Sequence, residues 1–244
     1  MSCVYVIRKR LFLGVMLVLI YALGPSCAAE APSTGEGVGD DPVGGAYYLS
    51  GPQKALRVSM ALRGTRPSLA ELEKVDEDES QLAALTDSWI ASPEFGETVR
   101  DLHHAIWKLR SDLTFFPTVG ALDDMGAGIW EVNQAVYEAP LRLIEDLVVN
   151  DQPYTSILTA DYLVGNDYVA TVWDVADAPT AGYGQPPDGQ GAWRRMRWND
   201  GRPSAGLLSS SALFTRYPSN GHNYHRGRAQ VVANALLCHD FLDR

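Results

Sequence analysis

Cysteine is scarce. The 244 residues hold three, Cys3, Cys27 and Cys238. If Cys3 leaves with a leader and Cys27 is lipidated, Cys238 has no partner for an internal disulfide. It then reads as a small buried apolar residue in a closing helix. Positive charge is also short. Lys and Arg number 20 against 30 Asp and Glu, for a formal net charge of −10. That balance excludes a general nucleic-acid binder, which needs many cations on phosphates. No Gly-x-Ser-x-Gly, His-Glu-x-x-His, phosphate-binding Gly-x-x-x-x-Gly-Lys or Gly-x-Gly-x-x-Gly occurs. The catalytic residues therefore stay unknown. No Cys-x-x-Cys-His occurs either, so covalent haem attachment in its usual form is excluded and no cofactor is expected. The rest of the composition is ordinary, with 46% apolar, 20% charged and 9% aromatic residues. Wholesale disorder, collagen and a multi-span membrane protein are ruled out. A chain of this length can bury a real core.

The N-terminus has the three-part build of an export signal. Arg8, Lys9 and Arg10 form a basic start, Leu11 to Leu23 an apolar core, and Gly24-Pro25-Ser26-Cys27-Ala28-Ala29 a breaker with small residues. The apolar core falls short of the roughly 20 residues a spanning helix needs. Residues 1–26 are predicted to be a signal peptide. Subtracting its three basic residues from −10 leaves the mature chain at about −13. The small residue before Cys27 resembles a bacterial lipoprotein signal, which implies lipid attachment at Cys27 and a periplasmic or outer-surface location. The alternative is cleavage after Ala28 or Ala29 and plain secretion. Residues 27–46 are rich in Gly, Pro and acids and read as a flexible tether.

Residues 47–244 read as a single, mostly helical domain, an irregular multi-helix arrangement with long loops. Helices are predicted over Gln53 to Arg63, from Ser68-Leu69-Ala70-Glu71 onward, and over Gln81 to Ile90. Ser92-Pro93 opens a further helix whose stripe is Phe95, Val99, Leu102, Ile106 and Leu109. Phe115-Phe116-Pro117 breaks the pattern. Another helix runs from about Ile129 to Val149, and Pro140 either kinks it or starts a second one. Short helices follow near Asp151-Gln152-Pro153 and over Asn166 to Trp173. Residues 176–192, rich in Gly and Pro, form a long loop. Gly206 to Arg216 and Asn223 to Leu242 close the chain as helices. No run of alternating strands and no internal repeat is evident.

Charge is segregated. Glu71 to Glu79 holds six acids and one lysine. Residues 194–228 hold seven arginines (Arg194, Arg195, Arg197, Arg202, Arg216, Arg226 and Arg228) and one acid, Asp200. Trp193, Trp198, Tyr217 and Tyr224 are interleaved, and guanidinium forks beside aromatics suit anion and carboxylate binding. The candidate anion or partner surface comprises Arg194, Arg195, Arg197, Arg202, His222, His225, Arg226 and Arg228. The competing expectation is that these arginines pair internally with acids such as those of Glu71 to Glu79.

No metal site is expected. His103 and His104 are sequence neighbours on a helix and point about 100° apart. His222-x-x-His225 and His239 lack adjacent further ligands. The acid pairs Asp123-Asp124 and Glu145-Asp146 read as solvated helix surface.

Several short strings follow one another along the chain. They are Leu62-Arg63-Gly64-Thr65-Arg66-Pro67-Ser68, Ser92-Pro93-Glu94-Phe95, Thr159-Ala160-Asp161-Tyr162 with Asn166, and Arg202-Pro203-Ser204-Ala205-Gly206-Leu207-Leu208. Arg226-Gly227-Arg228 then precedes Leu236-Leu237-Cys238. Across most of residues 50–242 this order resembles the uncharacterised secreted bacterial domain-of-unknown-function families that accompany planctomycete-type cytochrome c modules. The resemblance implies a mostly helical, exported protein associated with c-type haem proteins, and it assigns no catalytic residue. Members of those families continue into a proline-rich and haem-attaching region, whereas this sequence stops at Arg244, as a fragment or a short member would. The expected function is a non-catalytic cell-envelope module that binds or scaffolds an acidic protein or cytochrome c-type partner, with the membrane reached through the lipid alone. The alternatives are an extracellular enzyme with its site under the 176–202 loop and an anion-binding domain.

Overall fold

Ser50 starts the first helix, its backbone N–H donating to the Gln53 side chain at 3.0 Å. In the computed structural model, which describes residues 48–111, 120–177, 193–219, 221–222 and 224–240, this helix α1 spans Gly51–Arg63. It ends at Gly64, whose φ of 66° is the left-handed conformation glycine adopts without strain. Ser68 caps α2 (Leu69–Glu77) with a reciprocal box. Its hydroxyl accepts from the Glu71 N–H at 3.3 Å, and its own N–H donates to Glu71 Oε2 at 2.7 Å. Then come α3 (Gln81–Ile90) and α4 (Pro93–Trp107). Glu71 also joins the helices to one another. Its Oε1 accepts from Trp89 Nε1 at 2.6 Å, and the Arg63 guanidinium lies 4.7 Å over the buried Trp89 ring.

The stripe of α4 differs from the expected one. Phe95, Val99, Trp107 and Leu109 are buried, but Leu102 and Ile106 are 38% and 40% exposed. The inward line steps from Gly96 to Val99, His103 and Trp107. Leu102 and Ile106 precede its last two members by one position each, about 100° around the helix. Lys108, at φ 50°, ends the helix, so Leu109 reaches the core from outside it.

After α5 (Gly120–Asp124), α6 (Ile129–Val149) continues through Pro140 as one helix rather than two. Proline removes the donor to the Val136 carbonyl. A dense apolar surround compensates, since Val136, Tyr137, Leu141, Leu143, Ile144 and Leu147 are all buried. Each such side chain contributes on the order of 1.5–3 kcal/mol. α6 is the axis of the fold. α4 packs on it, and elements that follow it in the chain complete the domain.

Those elements include a sheet that the sequence did not suggest. In chain order they are α7 (Ser156–Thr159), β1 (Leu163–Gly165), α8 (Asp167–Trp173), β2 (Val175–Asp177), β3 (Arg194–Trp198), a 3₁₀ turn (Gly206–Ser209), α9 (Ser211–Arg216) and α10 (Arg226–Leu237). The sheet order is β1-β3-β2, antiparallel throughout, with Leu163 opposite Met196 and Val175 opposite Trp198. Strands of three to five residues are too short to display a period of two in the sequence. The domain is thus mostly helical and irregular, with one small sheet. Ser50–Arg244 forms one compact unit. Among the described residues no helix is long and apolar enough to cross a membrane. Residues 1–46, Phe115-Phe116-Pro117, most of the 176–192 loop, Asn223 and Leu242 lie outside the described residues.

Cys238 also differs from expectation. It sits just past α10 at φ 49° and is exposed rather than buried, because that helix ends at Leu237.

Candidate functional site

The pair Glu145-Asp146 is not solvated surface. It lies on the inner side of α6, where Asp146 has no exposure and Glu145 very little. A buried carboxylate survives only when its lone pairs are occupied. Arg195 on β3 supplies a two-pronged contact to Asp146, Nε to Oδ2 at 2.8 Å and Nη2 to Oδ1 at 3.1 Å. The Tyr162 hydroxyl donates to Oδ2 at 2.7 Å, and Asn150 Nδ2 donates to Oδ1 at 2.9 Å. The Arg195 guanidinium also lies 4.8 Å over the Tyr162 ring. Burial, then the bond to the Asp146 carboxylate, push the Tyr162 phenol well above its ordinary value. Glu145 is held by Arg100 at 2.7 Å and Arg142 at 3.2 Å, and Arg100 continues to Glu138 at 2.8 Å. With these oxygens committed to internal partners, the network locks α4, α6 and β3 together. Asp123 and Asp124, by contrast, are exposed as expected.

The arginines of 194–228 are dispersed by the strand. Alternation along β3 sends Arg194 to one face and Arg195 and Arg197 to the other. Arg194 pairs with Asp167 at 2.7 Å, Arg197 pairs with Asp161 at 2.5 Å, and Arg202 pairs with Asp200. Arg216 donates to the Lys108 carbonyl at 3.0 Å. Arg228 donates to the Tyr217 carbonyl at 2.9 Å and stacks 4.1 Å over Phe214. His222, His225 and Arg226 are exposed around the start of α10, and His225 Nδ1 lies 2.7 Å from Ser219 Oγ. The structure therefore places Arg194, Arg195, Arg197 and Arg202 beside carboxylates rather than on one shared positive face with Arg226 and Arg228. Their acids are Asp146, Asp161, Asp167 and Asp200, not those of Glu71 to Glu79.

Among the described residues no group of three or more His, Cys, Asp or Glu is placed to hold a metal ion. His103 Nδ1 lies 2.7 Å from the Val99 carbonyl and Nε2 lies 3.0 Å from the Tyr154 hydroxyl. Burial holds its pKa below the ordinary 6.5 against the opposing pull of the Val99 carbonyl.

A concave surface lies where α8, the turn after β3, and α9 meet. The groove measures about 680 Å³ and opens to solvent, with Trp173, Trp198 and Phe214 among its walls and Asp174, Arg202 and Thr215 among its polar groups. Volumes of roughly 300–1,000 Å³ are those of small-molecule sites. A narrow apolar crevice shares Trp173, Trp198, Ser209 and Ser211 with the groove and reaches down to Pro140 of α6. Each aromatic is fixed by its element. Trp173 ends α8 and packs on Val136, Tyr137 and Ala212. Trp198 ends β3 on the same face as the buried Met196. Phe214, on α9, is 44% exposed. Asp174 takes φ 50°, which an aspartate tolerates better than a branched residue, and turns the chain from α8 into β2. Its Oδ1 accepts from Asn199 Nδ2 at 2.7 Å, which ties the two rims of the groove.

Fold and groove define a mostly helical domain with an open, aromatic-walled cleft among its described residues. Comparison with family models, with curated proteins and with solved structures finds no match for the chain.

Proposed function

We propose that this chain is an exported, non-catalytic binding module of the cell envelope, anchored by lipid at Cys27, with the groove between Trp173, Trp198 and Phe214 as its binding surface. The groove carries this reading. Three aromatic side chains from three separate elements converge on one open cleft, and large aromatics at a solvated concavity are the usual substance of ligand recognition. The carboxylates near it are engaged in holding the protein together. Asp174 accepts from Asn199, and Asp200 pairs with Arg202. The basic n-region, apolar core and small-residue cysteine site support export and anchoring. A c-type cytochrome as the neighbour in the envelope rests on the family resemblance.

Photo-crosslinking in intact envelopes tests the reading. A photoreactive residue introduced at Thr215, on the groove, should yield a discrete adduct. The same residue at Glu97, exposed on α4, should yield none. Absence of an adduct at Thr215, or equal yields at both positions, would overturn it. The anchor is tested separately by intact mass, where a chain beginning at unmodified Ala29 or Glu30 would remove it.

A further inference from the structure

We infer that the surface where the end of α4, the end of α9 and the start of α10 meet docks an acidic segment of a partner protein. Sequence and contacts concentrate positive charge there. No Asp or Glu occurs in residues 102–111 or 201–239, although the chain as a whole carries −10. Lys108 stands at the end of α4, Arg216 at the end of α9, and Arg226 and Arg228 in the first turn of α10. Hydrogen bonds draw these segments together. Arg216 Nε donates to the Lys108 carbonyl at 3.0 Å, Arg228 Nη2 to the Tyr217 carbonyl at 2.9 Å, and the Tyr217 hydroxyl to the Trp107 carbonyl at 2.7 Å. None of these cations meets a carboxylate among the described residues. Arg194, Arg195, Arg197 and Arg202 each do. The acid that precedes this part of α4, Asp101, is taken by Arg110, and the one that follows α10, Asp240, accepts from Gln230.

Side-chain chemistry narrows the partner. The Arg216 guanidinium lies 5.2 Å over Tyr217, and that of Arg228 lies 4.1 Å over Phe214. A guanidinium stacked on a ring and tied by one N–H to a backbone carbonyl is already ordered, and its other N–H groups present a planar fork. Such forks match carboxylates through parallel hydrogen bonds. Phe214 and Tyr224 are 44% and 64% exposed in the same segments. Arginine with tyrosine and phenylalanine is the composition that marks the centre of protein–protein contacts. An extended polyanion fits less well. A bilayer face or a nucleic acid spans more than this patch and meets the rest of a strongly acidic protein. A short acidic segment does not, because charges beyond about 8 Å are screened from it at physiological salt. The surface borders the groove at Phe214 but does not depend on binding there.

The probe is a fluorescently labelled octaglutamate, followed by anisotropy as the mature full chain is added at about 20 mM and about 150 mM salt. It should bind at the lower salt and weaken at the higher. Lys108→Asn with Arg226→Gln removes two exposed charges, and asparagine tolerates the φ of 50° at Lys108. Neither side chain makes a hydrogen bond or ion pair among the described residues. The variant should therefore keep its unfolding temperature while affinity falls by roughly threefold to tenfold. Arg57→Gln with Arg66→Gln removes the same charge from exposed positions on α1 and just after it, and should change affinity by less than about twofold. Three outcomes overturn the inference. The first is no binding of the octaglutamate at about 1 mM protein. The second is an equal loss in the two double variants, which would make the effect one of net charge alone. The third is displacement of the peptide by phosphatidylglycerol vesicles, which would assign the surface to a membrane.

Discussion

Asp146 and Arg195 are 49 positions apart in sequence and share two hydrogen bonds across the centre of the domain, with no solvent reaching the carboxylate. The pair joins the axial helix α6 to the middle strand β3.

Replacing the guanidinium should therefore be severe. Arg195→Met leaves a buried carboxylate with hydrogen bonds but no counter-charge, a situation that costs about 3–5 kcal/mol. Urea denaturation measures it. A loss below about 1 kcal/mol would show that the pair is not structural.

Gly206 has φ 49°, and its N–H donates to the Ala160 carbonyl at 3.0 Å. A Cβ there would stand 2.0 Å from the Ile157 carbonyl oxygen, which is backbone and cannot swing away. Gly206→Ala combines left-handed strain with overlap, and a loss of at least ~3 kcal/mol is expected. Thermal unfolding would reveal it, and a neutral result would mean that the 3₁₀ turn does not cross α7 this closely.

The corrected face of α4 makes two substitutions diverge. Phe95→Ala should cost about 3–5 kcal/mol, since the ring is 4% exposed. Leu102→Ala should cost less than ~1 kcal/mol, because its side chain already meets water. Equal losses would restore the straight Phe95–Ile106 stripe.

Acid sensitivity should concentrate at Glu71. Burial alone would raise its pKa. Hydrogen bonds from Trp89 and Ser68, with the Arg63 charge, win and hold it at about 2 against an ordinary 4.5. A depressed carboxylate stabilises the fold fully above its unfolded value, and that contribution disappears as pH falls through the folded one. Stability of the wild type should fall between pH 4.5 and about 2. Glu71→Gln should flatten that part of the profile and lose ~1–3 kcal/mol at neutral pH. Urea midpoints measured across the range decide, and a parallel profile in the variant would exclude Glu71 as the cause.

The helical half of this architecture is written in local chemistry and was legible. Ser68 and Glu71, Ser92 and Pro93, and Asn166 before Asp167 are start signals that act within four residues, and Gly64 is a stop of the same kind. Signals that depend on distant partners were not legible. Arg194-Arg195-Met196-Arg197-Trp198 looks like a basic cluster until β1 and β2 flank it and divide its arginines between two faces. Glu145-Asp146 looks like helix surface until Arg100 and Arg195 arrive from other elements to join Arg142 of the same helix. The groove shares this limit. Trp198 stood out beside the arginines, but Trp173 and Phe214 lie on separate elements, and no spacing rule links them to it.

The order of the sheet has a consequence for how the chain is made. β1 and β2 do not pair with each other. Each waits for β3, which follows both. A nascent chain that has emerged only as far as Asp177 therefore carries two edge strands without a centre and an Asp146 without its guanidinium. The second half of the domain cannot close until Trp198 has left the ribosome.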